Sequence, residues 1–134
     1  RAGDLLLHAG ADAMAAGLAS DMVLAKSAAE GDAWWRIRDA ISEAERAAGP
    51  AIQHDVSVPV AAMPTFIADN PARLAAAFPG ARAISFGHLG DGNIHHHVQP
   101  PPGVAAGAWV AAHGAAVSEL VYTHVIDLGV PLSA

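Results

Sequence analysis

The chain has 134 residues, a formal charge of −6 and no cysteine. That length suits one domain with a single ordinary core, and the missing thiols exclude disulfides, thiolate metal sites and a cysteine nucleophile. Only 7 lysines and arginines are present and they form no cluster, so nucleic acid is not an expected partner.

Hydrophobic residues make up 53% of the chain and aromatics only 5%, the signature of an alanine-rich domain packed through small side chains. No run approaches the ~18 apolar residues of a membrane span, and Arg1-Ala2-Gly3-Asp4 does not open a secretory signal. Cytoplasm is the default expectation.

In chain order, Leu5-Leu6-Leu7 reads as a buried strand or a helix end, and 11–20 as a short helix weakened by Gly17. Residues 21–26 (D-M-V-L-A-K) fit a strand. Ser27 caps the next helix with Glu30 as its capping-box partner. That helix runs to about Ala48, where Gly49-Pro50 stops it. Trp34, Ile37, Ile41, Ala44 and Ala48 recur at three- and four-residue steps as its core-facing stripe, and Trp35 is left to cover a domain interface. Arg38 and Ser42 lie one turn apart on one face.

Residues 51–58 alternate as a strand, with His54 and Asp55 read as strand and turn structure. Residues 60–77 form a helix that Asp69-Asn70-Pro71 breaks or shortens. A long helix spans about 105–127, with Trp109, Ala112, Ala116, Leu120 and Thr123 or His124 along one side. His8, His113 and His124 belong to no constellation.

Between these helices lies S-F-G-H-L-G-D-G-N-I-H-H-H-V-Q, Ser85 to Gln99. Two extended runs joined by a Gly/Asp/Asn loop predict a hairpin that folds His88 back toward His95. Alternation puts His95 and His97 on one face and His96 on the other. Asp91 and Asn93 suit the turn. Imidazoles converging from a β frame suit a metal, which needs a third or fourth ligand; the plain alternative is a hairpin with half-exposed histidines. The whole predicts an α+β domain of ferredoxin-like type, a mostly antiparallel sheet with helices on one face. No G-x-G-x-x-G follows a strand, which argues against a parallel dinucleotide fold. No G-x-S-x-G elbow supports a hydrolase triad.

Gly87 to His95 (G-H-L-G-D-G-N-I-H) resembles the signature of the C-terminal domain of FAD-linked oxidases, flavoenzymes of the vanillyl-alcohol-oxidase type acting on D-lactate, glycolate or D-2-hydroxyglutarate. Trp35 to Ala44 (W-R-I-R-D-A-I-S-E-A) and His54 to Pro59 (H-D-V-S-V-P) are similar to further family segments. The resemblance implies a domain that caps a flavin held by a separate FAD-binding domain, absent from these residues, and that binds a small 2-hydroxy acid. It implies His88 and His95 as ligands of a divalent metal such as Zn or Mn, Arg38 and Ser42 as contacts to the substrate carboxylate, His97 as a further substrate contact and Asn93 as a cofactor contact.

Four positions depart from the family pattern. The family's third ligand and catalytic base lie in an S-A-E-H-G segment, whereas this chain reads to Ser133-Ala134, so no catalytic base is expected within it. Gly129-Val130-Pro131-Leu132 replaces G-G-S-I, Gln53 stands where a lysine is frequent, and His97 stands where Asn is frequent. These changes speak against D-2-hydroxyglutarate in particular. The expectation is a fragment or truncated derivative of a flavoenzyme, inactive alone; the rival is a catalytically silent ligand-binding or homodimerising module.

Overall fold

The computed structural model describes residues 2–129, so the expectations placed on 130–134 lie outside the described residues. Two compact units divide the chain at residue 44.

The first unit holds helix α1 (Ala2–Ala15) and most of helix α2 (Ala28–Ala48). Leu5, Leu6 and Leu7 belong to α1, not a strand, and all three are exposed. Residues 21–26 form no strand; no neighbouring strand among the described residues offers them a ladder. The capping box at α2 is as expected: Ser27 Oγ accepts from the Glu30 backbone N–H at 3.2 Å, while Glu30 Oε2 accepts from Lys26 N–H at 2.7 Å. The expected core stripe of α2 is not one. Trp34 and Ile37 are 41% and 72% exposed, Ala44 and Ala48 are exposed too, and only Ile41 is half-buried. Trp35 is likewise exposed.

The second unit contains strand β1 (Ile52–Ser57), a 3-10 turn (Val60–Ala62), helix α3 (Met63–Ala77), strands β2 (Arg82–His88) and β3 (Asn93–Gln99), and helix α4 (Ala106–Asp127). The sheet order is β1-β3-β2 and every pairing is antiparallel. The β-α-β-β-α sequence, with β3 inserted between the two strands that α3 connects, is the split βαβ arrangement of ferredoxin-like domains. Fold class and sheet type are therefore as the sequence implies.

Period-two alternation sorts the sheet. Ile52, Val56, Ile94 and Val98 point to one side and are buried by Phe66 and Leu74 of α3 and by Val117, Val121 and Val125 of α4. The buried stripe of α4 is thus the valine row rather than the expected Ala112 and Ala116. Valine carries more apolar area per residue, and it wins the inner face. Pro71 does not break α3. Phe66 and Leu74 anchor both of its halves to the sheet, and Asn70 Nδ2 donates to the Phe66 carbonyl at 2.8 Å just before the proline.

Three histidines share this core. His54 sits between the His96 carbonyl at 3.0 Å and Ser118 Oγ at 2.9 Å, and His96 Nδ1 pairs with Ser85 Oγ at 2.8 Å. His124 stacks on Phe66, whose edge also meets His96. Burial pushes the His96 imidazole down to about 4, with neighbouring His54, His97 and His124 adding to it, and burial lowers His54 and His124 as well. An unfolded His96 takes its proton near 6.5. Between these values the unfolded chain holds a proton that the folded one refuses, so stability is whole above that upper value and falls as pH drops toward the lower. Urea midpoints recorded across this window are expected to fall, with His96 contributing about 3 kcal/mol of the loss, and His96→Leu is expected to flatten the profile.

Candidate functional site

The opposite face of the sheet is turned away from α3 and α4. Register places Gln53, Asp55 and Ser57 of β1, Asn93, His95 and His97 of β3, and Ile84, Phe86 and His88 of β2 on it, each row directly across from the next. The face is polar at a position where a two-layer fold would otherwise need nothing more than solvated side chains.

The tip is shaped by backbone constraints. Gly87 packs so closely that a Cβ there would lie 2.1 Å from the Asn93 carbonyl oxygen, and Gly92 has φ +76° with the Val58 oxygen 2.0 Å from where its Cβ would be. Asp91 Oδ1 accepts from the Asn93 backbone N–H at 3.0 Å, which holds the Asp91 carboxyl below its ordinary range. The expected roles of Asp91 and the glycines in the turn are what the structure shows.

His88 and His95 come together as expected: their ring centroids are 5.7 Å apart, edge to face. Each has a carboxylate beside it, Asp91 Oδ2 at 3.6 Å from His88 Nδ1 and Asp55 Oδ1 at 3.5 Å from His95 Nδ1. Asp55 also accepts from Asn93 Nδ2 at 2.5 Å, so one carboxylate ties β1 to two residues of β3. Phe86 lies against both His95 and His97, with centroids 5.1 and 5.3 Å away. His97 is held by Glu45 of α2, Nδ1 to Oε2 at 2.6 Å, with Glu45 itself buried.

Asp55 and Glu45 are the participants that sequence reasoning missed. Asp55 was legible from strand parity, since it falls on the same side as His95. Glu45 was not, because nothing local ties a helical residue to a strand 52 positions away.

The sequence-predicted metal pair supplies two donors. Among the described residues no three His, Cys, Asp or Glu side chains converge as a metal-holding group. A divalent cation here would need further ligands from outside that set.

Arg38 and Ser42 belong to the first unit. Arg38 lies 3.6 Å from the Asp39 carboxylate and lines a groove of about 390 Å³ with Ala25, Gly31, Trp34 and Trp35, while Ser42 is half-buried. None of the described helices is long and apolar enough to cross a membrane.

The chain is thus a split βαβ domain that presents a glycine-cornered histidine hairpin, and comparison with known proteins places it in a family. The chain matches the family described as FAD linked oxidases, C-terminal domain, over residues 6–125, and it belongs to that family. It is 40% identical over 99 residues to a D-2-hydroxyglutarate dehydrogenase of Xanthomonas citri pv. viticola, covering 74% of this chain and 21% of that protein. It is 38% identical over 82 residues to the mitochondrial D-2-hydroxyglutarate dehydrogenase of Arabidopsis thaliana, covering 61% of this chain and 14% of that protein. A cow mitochondrial D-2-hydroxyglutarate dehydrogenase is 34% identical over 83 residues. The chain therefore spans about a fifth or less of the curated relatives it matches.

The close approach at the hairpin tip gives a direct test. Gly87→Ala is expected to cost about 1–3 kcal/mol by overpacking against β3. Chemical denaturation and faster amide exchange at Asn93 and Ile94 would report it, whereas Gly90→Ala, with open space around it, is expected to be near neutral.

Proposed function

We propose that this domain forms the substrate-facing surface of an FAD-dependent dehydrogenase that oxidises a small 2-hydroxy acid to the 2-oxo acid. The observation that carries the reading is the convergence of His88, His95, His97 and Asn93 on one sheet face, in a chain that belongs to the FAD-linked oxidase family.

FAD, bound mainly by a separate domain, supplies the hydride acceptor. The residues of this chain bind and orient. His95, steadied by Asp55, and His88, beside Asp91, hold the hydroxyl-bearing edge of the substrate through their ring nitrogens. The ring of Phe86 closes one side of the His95–His97 row. Asn93, fixed through Nδ2 to Asp55, is the residue of this chain proposed to face the cofactor. Arg38 and Ser42 keep the role of carboxylate grip that the resemblance gives them; a guanidinium with a hydroxyl one turn away suits a carboxylate through charge-assisted bonds. Should Zn or Mn bind, His88 and His95 would be two of its ligands and its charge would polarise the hydroxyl.

The whole of this rests on orientation of the reacting carbon, which is worth several orders of magnitude when held and lost when it slips. In the FAD-loaded full-length protein, adding a D-2-hydroxy acid without oxygen is expected to bleach the flavin's visible absorbance. His95→Ala is expected to slow the bleaching by about 100-fold, with bound flavin unchanged. Equal rates in the two proteins would remove His95 from the site.

A further inference from the structure

The end of the sheet away from the hairpin holds a second polar cluster. Arg82 and Gln99 form the last register pair of β2 and β3. At about 3.3 Å per residue, Gln99 lies roughly 13 Å along β3 from His95. A pocket of about 190 Å³ opens there, lined by Arg82, Gln99, the three prolines that follow and Ala106, the first residue of α4. At ~30 Å³ each, it has room for about six waters. Its wall is stiff: successive prolines fix φ, and a Cβ on Gly80, itself at φ +84°, would lie 3.1 Å from the Pro101 side chain.

The polar groups of this pocket are donors. Gln99 is 7% exposed, and its Oε1 accepts from Arg82 Nη2 at 2.9 Å. A guanidinium only donates, so this contact settles which end of the carboxamide is oxygen and turns Nε2 the other way. Nε2 has no hydrogen-bond partner among the described residues. It is not one of the sealed, unpartnered atoms either, which are Glu45 Oε1, Asn70 Oδ1, His96 Nε2 and His124 Nδ1. It therefore faces the solvent of the pocket. Arg82 meets no carboxylate among the described residues, whereas Arg38 lies beside Asp39 and Arg73 beside Asp127. No acid lines the pocket, and Glu45 is held at His97, the next residue toward the hairpin on this face. Helix α4 begins here without a side-chain cap and with no acidic residue in its first turn, so the positive end of a 22-residue helix is left unanswered.

We propose that this pocket binds a phosphate group, as the free ion or at the end of a larger molecule. A tetrahedral phosphate offers oxygens in several directions, so donors from β2, β3 and α4 can each meet one, whereas a flat carboxylate offers two in one plane. The Arg82 fork takes two oxygens, and Gln99 Nε2 takes a third. The buried carboxamide makes this more than a helix end: its donor is desolvated on every side but the pocket and is answered only by what enters there. The site is separate from the hairpin and independent of the hydroxy acid reading.

The test is calorimetric titration of the full-length protein with inorganic phosphate, glycerol 3-phosphate and acetate at fixed ionic strength. Phosphate is expected to bind with a Kd of about 1 mM or tighter, and acetate about tenfold more weakly or worse. Glycerol 3-phosphate binding as well as phosphate assigns the site to a phosphate group on a carrier, and weaker binding assigns it to the free ion; either result upholds the site. Arg82→Gln is expected to weaken phosphate by about tenfold or more. Gln99→Glu, close in shape but an acceptor opposite Arg82, is expected to abolish binding. A readout that needs no variant is the Gln99 side-chain NH2 resonance pair, expected to shift as phosphate is added. Phosphate that fails to bind by about 10 mM, Gln99 resonances that stay still while it binds, an unchanged Kd in Arg82→Gln, or acetate binding as tightly overturns the inference.

Discussion

The register of β3 between β1 and β2 is the constraint on which the domain depends. A β-strand gives alternate residues to opposite faces, and β3 is written so that Ile94, His96 and Val98 go one way and Asn93, His95 and His97 the other. A slip of one residue would send both sets to the wrong side at once. The buried set is held by α3 and α4, the polar set by its cross-strand partners and, at His97, by Glu45, and each needs the other to stay in place. Gly87 and Gly92 protect that register at the tip, where only a residue without a Cβ allows the strands and the Val58 carbonyl to come so close.

The core side of this arrangement is unusual in chemistry. Three imidazoles occupy positions that aliphatic residues fill elsewhere in the same layer, with backbone or hydroxyl partners at both nitrogens of His54 and at Nδ1 of His96. His96 Nε2 and His124 Nδ1 are left without one. Burial therefore holds these rings neutral, and the same histidine-rich strand answers to two opposite demands. Its inward ring must shed its proton to be buried, while its outward rings sit beside carboxylates.

Most of this was legible in the sequence, for local reasons. The capping box, the Gly49-Pro50 stop, the hairpin and the facing of His95 and His97 follow from turn chemistry and period two. What failed was what local pattern does not encode. The apolar stripe on α2 is real as a pattern, but a stripe announces a need for cover and does not say whether a partner exists in the same chain. Pro71 looked like a breaker because propensity weighs one residue, whereas Phe66 and Leu74 fasten the helix on both sides of it. Residues 21–26 had the composition of a strand and no ladder to join. The Glu45–His97 contact joins a helix end to a strand, and only the fold brings them together.

The curated relatives that this chain resembles carry the name D-2-hydroxyglutarate dehydrogenase. The row that extends from the hairpin along β3 and β1 is built from His97, Gln53 and Asp55, with Glu45 beneath. The hairpin tip that carries His88 and Asn93 is fixed by backbone geometry, because glycines and register leave it little freedom to vary. The row of Gln53 and His97 is fixed only by which side chains stand on a frame already made. A change at the exposed Gln53 costs the fold little, whereas any residue in place of His97 must still answer the buried Glu45 carboxylate. The frame is thus held by glycine and register, and the side chains that stand on it, Gln53 above all, are where the face can vary without loss of the fold.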